Sequence, residues 1–364
     1  MLIPTYAIPD LPPPVELETV RVYKALTRAS RALADLKGQA RTIPNQGILI
    51  DTLALQEAKA SSEIENIVTT QDELFQADLF PDDPQSPAAK EVALYRDALR
   101  LGYDRLRQTD GLIPNAALIE MFRRLKGRND GFRVVPGTAL KNEMTGETVF
   151  VPPQDGQAIL GHMAGLERFI NDDELSALDP LIKMALIHHQ FESIHPFPDG
   201  NGRIGRILNV LYLTRTGLLD IPILYLSRHI TRHKADYYRL LQAVRDEGAW
   251  EDWVVFMLEA VAETAATTVR LVEGVREQMA RVKHRMREDL PKLYSQDLLN
   301  NLFRHPYTRI EYVQNDLGVT RQTAARYLDT LAEQGFVEKH RSGKSNYYIN
   351  SELVRLFLEV SESR

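Results

Sequence analysis

The stretch HPFPDGNGRIGR, residues 195–206, places one histidine, one carboxylate, three glycines, an asparagine and two arginines within a dozen positions. Glycine inside a helix or strand costs roughly 0.5–1 kcal/mol relative to alanine, so stability alone does not ask for three. Gly200, Gly202 and Gly205 open the run ILNVLYLTRTG, whose apolar spacing is helical. The first turn of a helix leaves main-chain N–H groups without internal partners, at the positive end of the helix dipole. Bare glycine backbone lets a phosphate come close to those groups. Arg203 and Arg206 lie three apart, on one helix face, where both can grip further phosphate oxygens. Asp199 is a carboxylate placed to hold Mg2+ against the phosphates. His195, with an ordinary pKa of roughly 6.5, can accept a proton beside them. Singly, each residue has a plainer reading: turn glycines, Asp199 as a helix N-cap, His195 as a satisfied core histidine. Together they compose an anion site with its own base.

The remaining sequence bounds the class. At 364 residues the chain is long enough for two or three domains with cores of their own. Its 44 Lys and Arg against 50 Asp and Glu leave a net charge of −6. That sign excludes a chain that coats nucleic acid or anionic membrane along its whole length, and still allows a local basic patch. The absence of cysteine excludes disulfides, thiolate metal sites and a cysteine nucleophile. The opening MLIPTYAIPDLPPPVELE lacks the basic-then-apolar pattern of a signal peptide, and no apolar run approaches the ~20 residues of a spanning helix. The expectation is a soluble, cytoplasmic protein with no membrane partner.

Organisation follows from periodicity. A proline-rich arm (Pro4, Pro9, Pro12, Pro13, Pro14) precedes a helix expected over residues 15 to about 37. Further helical patterns follow, interrupted by FRVVPGTALKNEMTGETVFVPP, which reads as a β-hairpin. Its strands are expected at residues 134–135 and 148–151, around Met144-Thr145-Gly146. Val272, Val275, Met279, Val282 and Met286 step by 3 and 4 up to Pro291. This seam suits a connecting helix packed on a neighbouring domain, with a homodimer seam as the alternative. From Leu298 the pattern is helix, turn at Gly318, a second helix capped by Thr320, then a hairpin around Ser342-Gly343. This is the order of a winged helix-turn-helix, with Val319, Ala324, Leu328 and Leu331 on the core face. Arg321, Gln322, Arg326 and Lys344 are its candidate DNA contacts, aided by Lys339 and Arg341 and tempered by Asp329, Glu333 and Glu338. Docking of a protein is the competing use. The expected division is 1–95, 96–263, 264–297 and 298–364. The expected fold is mainly α, with one β-hairpin and a small C-terminal winged domain.

The opening string resembles the signature of the Fic family, H-x-F-x-[D/E]-G-N-G-R-x-x-R, without a departure. IHHQFESI before it, YYRLLQAVRDEGAWEDWVVFML after it and the arm LPPPVELE extend the resemblance over residues 11–263. The resemblance implies a helical Fic fold that transfers AMP from ATP, with Mg2+, to a Ser, Thr or Tyr hydroxyl of a protein target, the chain itself included. It implies that His195 takes the hydroxyl proton, Phe197 packs the loop into the core and Asp199 binds Mg2+. Gly200, Asn201 and Gly202 would form the anion hole, with Asn201 orienting the α-phosphate. Arg203 and Arg206 would hold the other phosphates, with Ile204 and Gly205 completing the nucleotide-binding turn. The hairpin would be the flap that aligns the target by strand pairing, or a simple cover for the core. Tyr238, with Tyr237, would line an adenine pocket or belong to the core.

A second motif, SSEIENI at residues 61–67, contains S-x-x-x-E-N and resembles the family's inhibitory motif. Ser61, Glu65 and Asn66 are its residues. A Glu65 carboxylate paired with Arg206 would occupy the space and charge meant for the γ-phosphate. A serine-capped helix with solvated glutamates is the plainer reading. The expected activity is protein adenylylation held down by Glu65. Removal of AMP uses the same residues, with Glu65 positioning a water. A DNA-binding regulator with an inactive core is a further alternative, against which the intact signature argues.

Overall fold

Helix starts along this chain carry their own caps. Thr19 Oγ1 accepts from the Val22 amide at 3.2 Å, Asp155 from Ala158 at 2.9 Å, Asp179 from Leu181 at 2.8 Å. Ser295 and Thr320 do the same for Leu298 and Thr323. Each satisfies one of the donors that a first turn leaves orphaned. The structure, a computed structural model, describes residues 6–79, 86–141, 145–342 and 345–362.

In chain order the helices and strands are α1 (Val20–Ala40), α2 (Gly47–Ile64), α3 (Gln71–Leu79), α4 (Pro87–Gln108), α5 (Asn115–Lys126), β1 (Leu140–Lys141), β2 (Thr148–Phe150), α6 (Gly156–Asn171), α7 (Pro180–Ile194) and α8 (Asn201–Arg215). They continue as α9 (Ser227–Arg232), α10 (Lys234–Glu247), α11 (Trp250–Asp289), α12 (Gln296–Arg304), β3 (Tyr307–Thr308), α13 (Ile310–Leu317), α14 (Arg321–Glu333), β4 (Glu338–Ser342), β5 (Ser345–Ile349) and α15 (Ser351–Glu362). The fold is mainly helical, as the periodicity predicts. Two compact units result. One gathers the residues up to Ala34, Glu57–Val68 and Glu91–Ala265; the other gathers Asp35–Gln56, Thr69–Lys90 and the residues from Ala266 onward.

At the centre of the first unit lie α7 and α8. Every residue of α7 from Leu181 to Ile194 is buried, polar ones included. A helix covered all round must satisfy its polar groups internally. His188 does so between Asn209 Nδ2 at 3.1 Å and the Tyr237 hydroxyl at 2.9 Å, and Gln190 donates to the Pro9 carbonyl at 2.7 Å. The Pro9 contact fixes the proline-rich arm against α7.

Two expectations need correction. The first helix starts at Val20 rather than residue 15, because Thr19 caps it there. The hairpin exists, but its first strand is Leu140–Lys141, pairing Leu140 with Phe150 and Lys141 with Thr148. Val134 and Val135 lie outside it and are exposed; Pro136 lacks a ladder donor and Gly137 turns the chain at φ 114°. The boundary expected between residues 263 and 264 lies within α11, a single helix of 40 residues, close to the division between the two units after Ala265. Met144, in the expected hairpin turn, lies outside the described residues.

In the second unit, α12, α13 and α14 are followed by an antiparallel sheet in the order β3-β5-β4. Ala324, Leu328 and Leu331 are buried along α14, as expected. Val319, expected with them, precedes the helix and is half-buried. Arg321, Gln322 and Arg326 are exposed. Arg321 pairs with Glu311 at 2.6 Å and Lys339 with Asp329 at 2.6 Å, so acidic neighbours already meet both cations. Lys344 lies outside the described residues.

Thr19 also donates to Glu251 at 2.5 Å. Thr19→Ala should lower the unfolding free energy by about 1 kcal/mol, read as a lower urea midpoint at unchanged slope.

Candidate active site

His195 ends α7 in the left-handed region, φ 50°, its amide bonded to the Phe191 carbonyl at 2.9 Å. A non-glycine residue is uncommon there and must be held. Arg133, buried at 5 %, does the holding. Its amide donates to the Pro196 carbonyl at 2.8 Å, Nε to the His195 carbonyl at 2.8 Å and Nη2 to the Ile194 carbonyl at 3.3 Å. Phe197 stacks on Phe122 at 4.2 Å between ring centres and tilts against Phe132 at 5.2 Å, anchoring the loop in the core as expected.

Asn201, the first residue of α8, closes the turn that precedes it. Its Oδ1 accepts from the Phe197 amide and its Nδ2 donates to the Phe197 carbonyl, both at 2.8 Å. The carboxamide is thus committed to the loop's own main chain, in a buried position. It clamps the turn.

Gly200 begins α8 at φ 75°, where a side chain would be strained. Asp199 Oδ1 accepts from the Gly200 amide at 2.7 Å, while Oδ2 pairs with Lys126 at 2.7 Å. Lys126 also pairs with Glu91 at 3.0 Å. Partial burial works against the Asp199 charge, but Lys126 outweighs it and holds the carboxyl below its ordinary range.

The stretch SSEIENI lies at the end of α2. The Ile67 amide returns to the Ser62 carbonyl and the Asn66 amide to Glu63, both at 3.0 Å, with Asn66 left-handed at φ 60°. This is a Schellman cap, and it explains asparagine at that position: a short polar side chain tolerates the left-handed conformation. The cap leaves Glu65 one turn beyond Ser61, and both face Arg206. Arg206 Nε donates to Ser61 Oγ at 2.7 Å, and Nη2 to the Ser61 carbonyl at 2.9 Å and Glu65 Oε1 at 3.2 Å. The second Glu65 oxygen sits 2.7 Å from Arg203 Nε, and Arg203 Nη1 also meets Glu91 at 3.0 Å. A Cβ on Gly202 would fall 2.8 Å from Arg206 Nη1 and 3.1 Å from Glu65 Oε1. No side chain fits while that ion pair stands.

The other expected residues have quieter positions. Ile204 is fully buried, and Gly205 lets α8 approach Glu192 and Phe191 of α7. Tyr237 is buried on His188, whereas Tyr238 is 49 % exposed beside it, edge to face at 5.2 Å. Asn66 accepts from Lys234 at 3.1 Å.

Sequence reading missed four residues of this cluster: Arg133, Glu91, Lys126 and Glu57. Glu57 had a signal, since Glu57, Ser61 and Glu65 are spaced i, i+4 and i+8 on one face of α2. It is buried, accepting from Tyr95 at 3.0 Å and from Ser227. Burial raises its pKa from 4.5 to about 7, against the pull of Ser227, Arg206 and Tyr95. Glu192, on α7, is raised to about 7 by the same cause.

The site is therefore a glycine-opened helix start whose arginines already hold a carboxylate, preceded by a clamped histidine. This defines a helical protein built around an anion-binding helix N-terminus. The sequence matches the Fic/DOC family N-terminal description over residues 23–104, the Fic/DOC family over 114–213 and the C-terminal domain of SoFic-like protein adenylyltransferases over 278–353. The chain belongs to the Fic/DOC family. It is 29 % identical to the protein adenylyltransferase Fic of Drosophila erecta over 147 residues, 40 % of this chain and 28 % of that protein. To protein adenylyltransferase fic-1 of Caenorhabditis briggsae it is 32 % identical over 127 residues, 34 % of this chain and 22 % of that one. The match thus spans under a third of these curated relatives. Among solved structures, a Fic family protein from Desulfovibrio desulfuricans aligns with a TM-score of 0.57 at 21 % identity, covering 93 % of this chain and 98 % of that one. Residues 134–508 of Caenorhabditis elegans Fic-1 align at 0.55 and 21 % identity, covering 71 % and 74 %.

Two titrations test this electrostatic picture. Burial, then Arg133 and Arg245, push the His195 pKa from 6.5 down to about 4, so its imidazole is neutral at every pH above that. An NMR titration of the ring protons in the nucleotide-free protein should place its midpoint near 4; a midpoint near 6.5 contradicts the clamped geometry. Glu57 works in the opposite sense. A folded-state pKa raised to about 7 gives stability that is full below 4.5 and lost as pH rises through 7. Glu57→Gln should flatten the fall of melting temperature over that window.

Proposed function

We propose that this chain is a protein adenylyltransferase: it moves AMP from ATP to a hydroxyl of a protein target and releases pyrophosphate. The observation that carries the reading is the Glu65 carboxylate gripped by Arg203 and Arg206 over Gly202. In the reading, a carboxylate stands where the terminal phosphate of a nucleotide would go. Named Fic adenylyltransferases among its relatives support the same chemistry.

In this scheme His195, neutral and fixed by Arg133, accepts the proton of the target hydroxyl. The freed oxygen attacks the α-phosphorus, and the bond to the β-phosphate oxygen breaks. Gly200 to Gly202 present main-chain donors to the phosphates, and Asn201 keeps the turn that presents them. The donor set suits a divalent ion: Asp199 is a hard oxygen ligand, its side chain 61 % exposed. Magnesium, when bound, neutralises phosphate charge. Lys126 would give up or share Asp199 as the ion arrives. The work is positioning and charge stabilisation, as in phosphoryl transfer generally. The paired strands β1 and β2 offer an edge for the target segment.

Glu65 is the brake. With the carboxylate on Arg206, the triphosphate cannot adopt the productive arrangement. Glu65→Gly should raise self-adenylylation in ATP and Mg2+ by at least roughly tenfold, seen by intact-mass spectrometry. Adding His195→Ala should remove the gain by roughly 10²–10⁴-fold, the usual worth of a general base. If Glu65→Gly labels no faster than wild type, the brake assignment fails; if the double variant labels as well as the single, the base assignment fails.

A further inference from the structure

Away from the anion site, His229, His233 and Glu263 bring three ligand atoms within 4.8 Å of one another. His229 lies on α9, His233 at the corner between α9 and α10, and Glu263 on α11. The two histidines are four residues apart on nearly continuous helix, with the His233 amide on the His229 carbonyl at 3.0 Å, so they share a face. Their ring centres are 4.4 Å apart. His229 is buried, its ring against Phe256 at 5.2 Å, and its Nδ1 is 2.7 Å from Glu263 Oε2. Arg232 faces the other Glu263 oxygen at 3.7 Å and orients the carboxylate. His233 and Glu263 are exposed, which leaves the cluster open to solvent.

The donor set names its ligand. Two imidazoles and one carboxylate, with no thiolate, suit borderline first-row ions and offer too few oxygens for calcium or magnesium. Three such ligands with an open fourth position are the pattern of tetrahedral zinc sites. Bonds of about 2.0–2.1 Å place tetrahedral ligands about 3.3 Å apart. His229 and Glu263 therefore need to part by roughly half an ångström as an ion replaces the proton between them. Rotation of the exposed Glu263 side chain supplies that movement.

The corner is also the part of the unit that holds α2. Ser227 of α9 bonds Glu57, Thr231 Oγ1 donates to the Ala60 carbonyl at 3.3 Å, and Lys234 of α10 donates to Asn66 at 3.1 Å. These contacts run along the turns of α2 that end at Glu65. We propose that His229, His233 and Glu263 form a zinc site that braces the α9–α10 corner and, through it, the end of α2 carrying Glu65. The bracing of a brake rests on the function proposed above; the metal site does not.

Zinc chloride titrated into the chelator-treated full chain, in competition with a chromophoric chelator, tests the site. Wild type should take up one zinc ion. His233→Ala and Glu263→Gln, both at exposed positions, should weaken uptake by at least about 10–100-fold. Asp199→Ala removes the other candidate cation site and should leave uptake intact. Failure of wild type to take up zinc, equal uptake by the His233 and Glu263 variants, or loss of uptake with Asp199→Ala alone each overturns the site. Hydrogen exchange then tests the bracing: zinc should slow the amides of residues 61–67 by roughly threefold or more in wild type and leave them unchanged in His233→Ala. Bound zinc without that slowing overturns the bracing.

Discussion

A buried guanidinium governs this protein. Arg206 is 5 % exposed, in a place where an unpaired charge costs several kcal/mol. Burial works against its charge, and Glu65, Tyr237, Tyr95 and Glu192 outweigh it, holding its pKa above the ordinary range. Ser61 supplies a hydroxyl and a carbonyl to the same group. Removing one partner of a buried pair strands the other, at roughly 3–5 kcal/mol. Under the proposed function, the inactivity of the nucleotide-free protein and much of its local stability come from one ion pair. Glu65 leaves cheaply only when another anion takes over Arg206. Release of the brake and arrival of the triphosphate are then coupled by electrostatics.

The same logic orders the surroundings. The loop before α8 runs through a left-handed histidine, a conformation kept only if its neighbours over-determine it. Arg133 supplies three hydrogen bonds to the main chain of residues 194–196, Asn201 two to Phe197, and Phe122 a stacking surface. Burial first, and then two nearby arginines, keep His195 neutral, which is the state a proton acceptor needs. Arg245, one of them, lies over the Phe150 ring of β2 at 3.9 Å and bonds Ser193 at 3.1 Å. His195, α7 and the hairpin strand therefore share one cation.

What the sequence disclosed depends on how local each device is. Residues 195–206 were legible because the glycines, the carboxylate and the arginines act through one turn and the helix it starts. Ser61 and Glu65 were legible through the short motif they form with Asn66, although their partner Arg206 lies 145 and 141 residues away. Arg133, Glu91 and Lys126 belong to no such motif, and their partners lie from 35 to 112 residues away. Asn201 was visible as a site residue, but only the folded turn shows its carboxamide closing on Phe197. The misplaced first strand has a similar origin. Two valines carry β propensity, but a strand needs a partner, and the chain turned at Pro136-Gly137 before one was met. The early helix start was avoidable: a threonine after a proline-rich arm is itself a cap signal.

In the C-terminal unit the expected order of helices and hairpin is present, and the chemistry of its exposed face is decided by pairs. Arg321 meets Glu311, and Lys339 meets an Asp329 that also accepts from the Tyr348 hydroxyl at 2.6 Å. Exposed pairs of this kind are individually weak, about 0–1 kcal/mol, so an incoming phosphate can displace them. Their effect is on the field rather than on access. A cation already paired with a carboxylate neutralises a phosphate less fully, and it is the counterions displaced from neutralised phosphates that give non-specific nucleic-acid binding its strength.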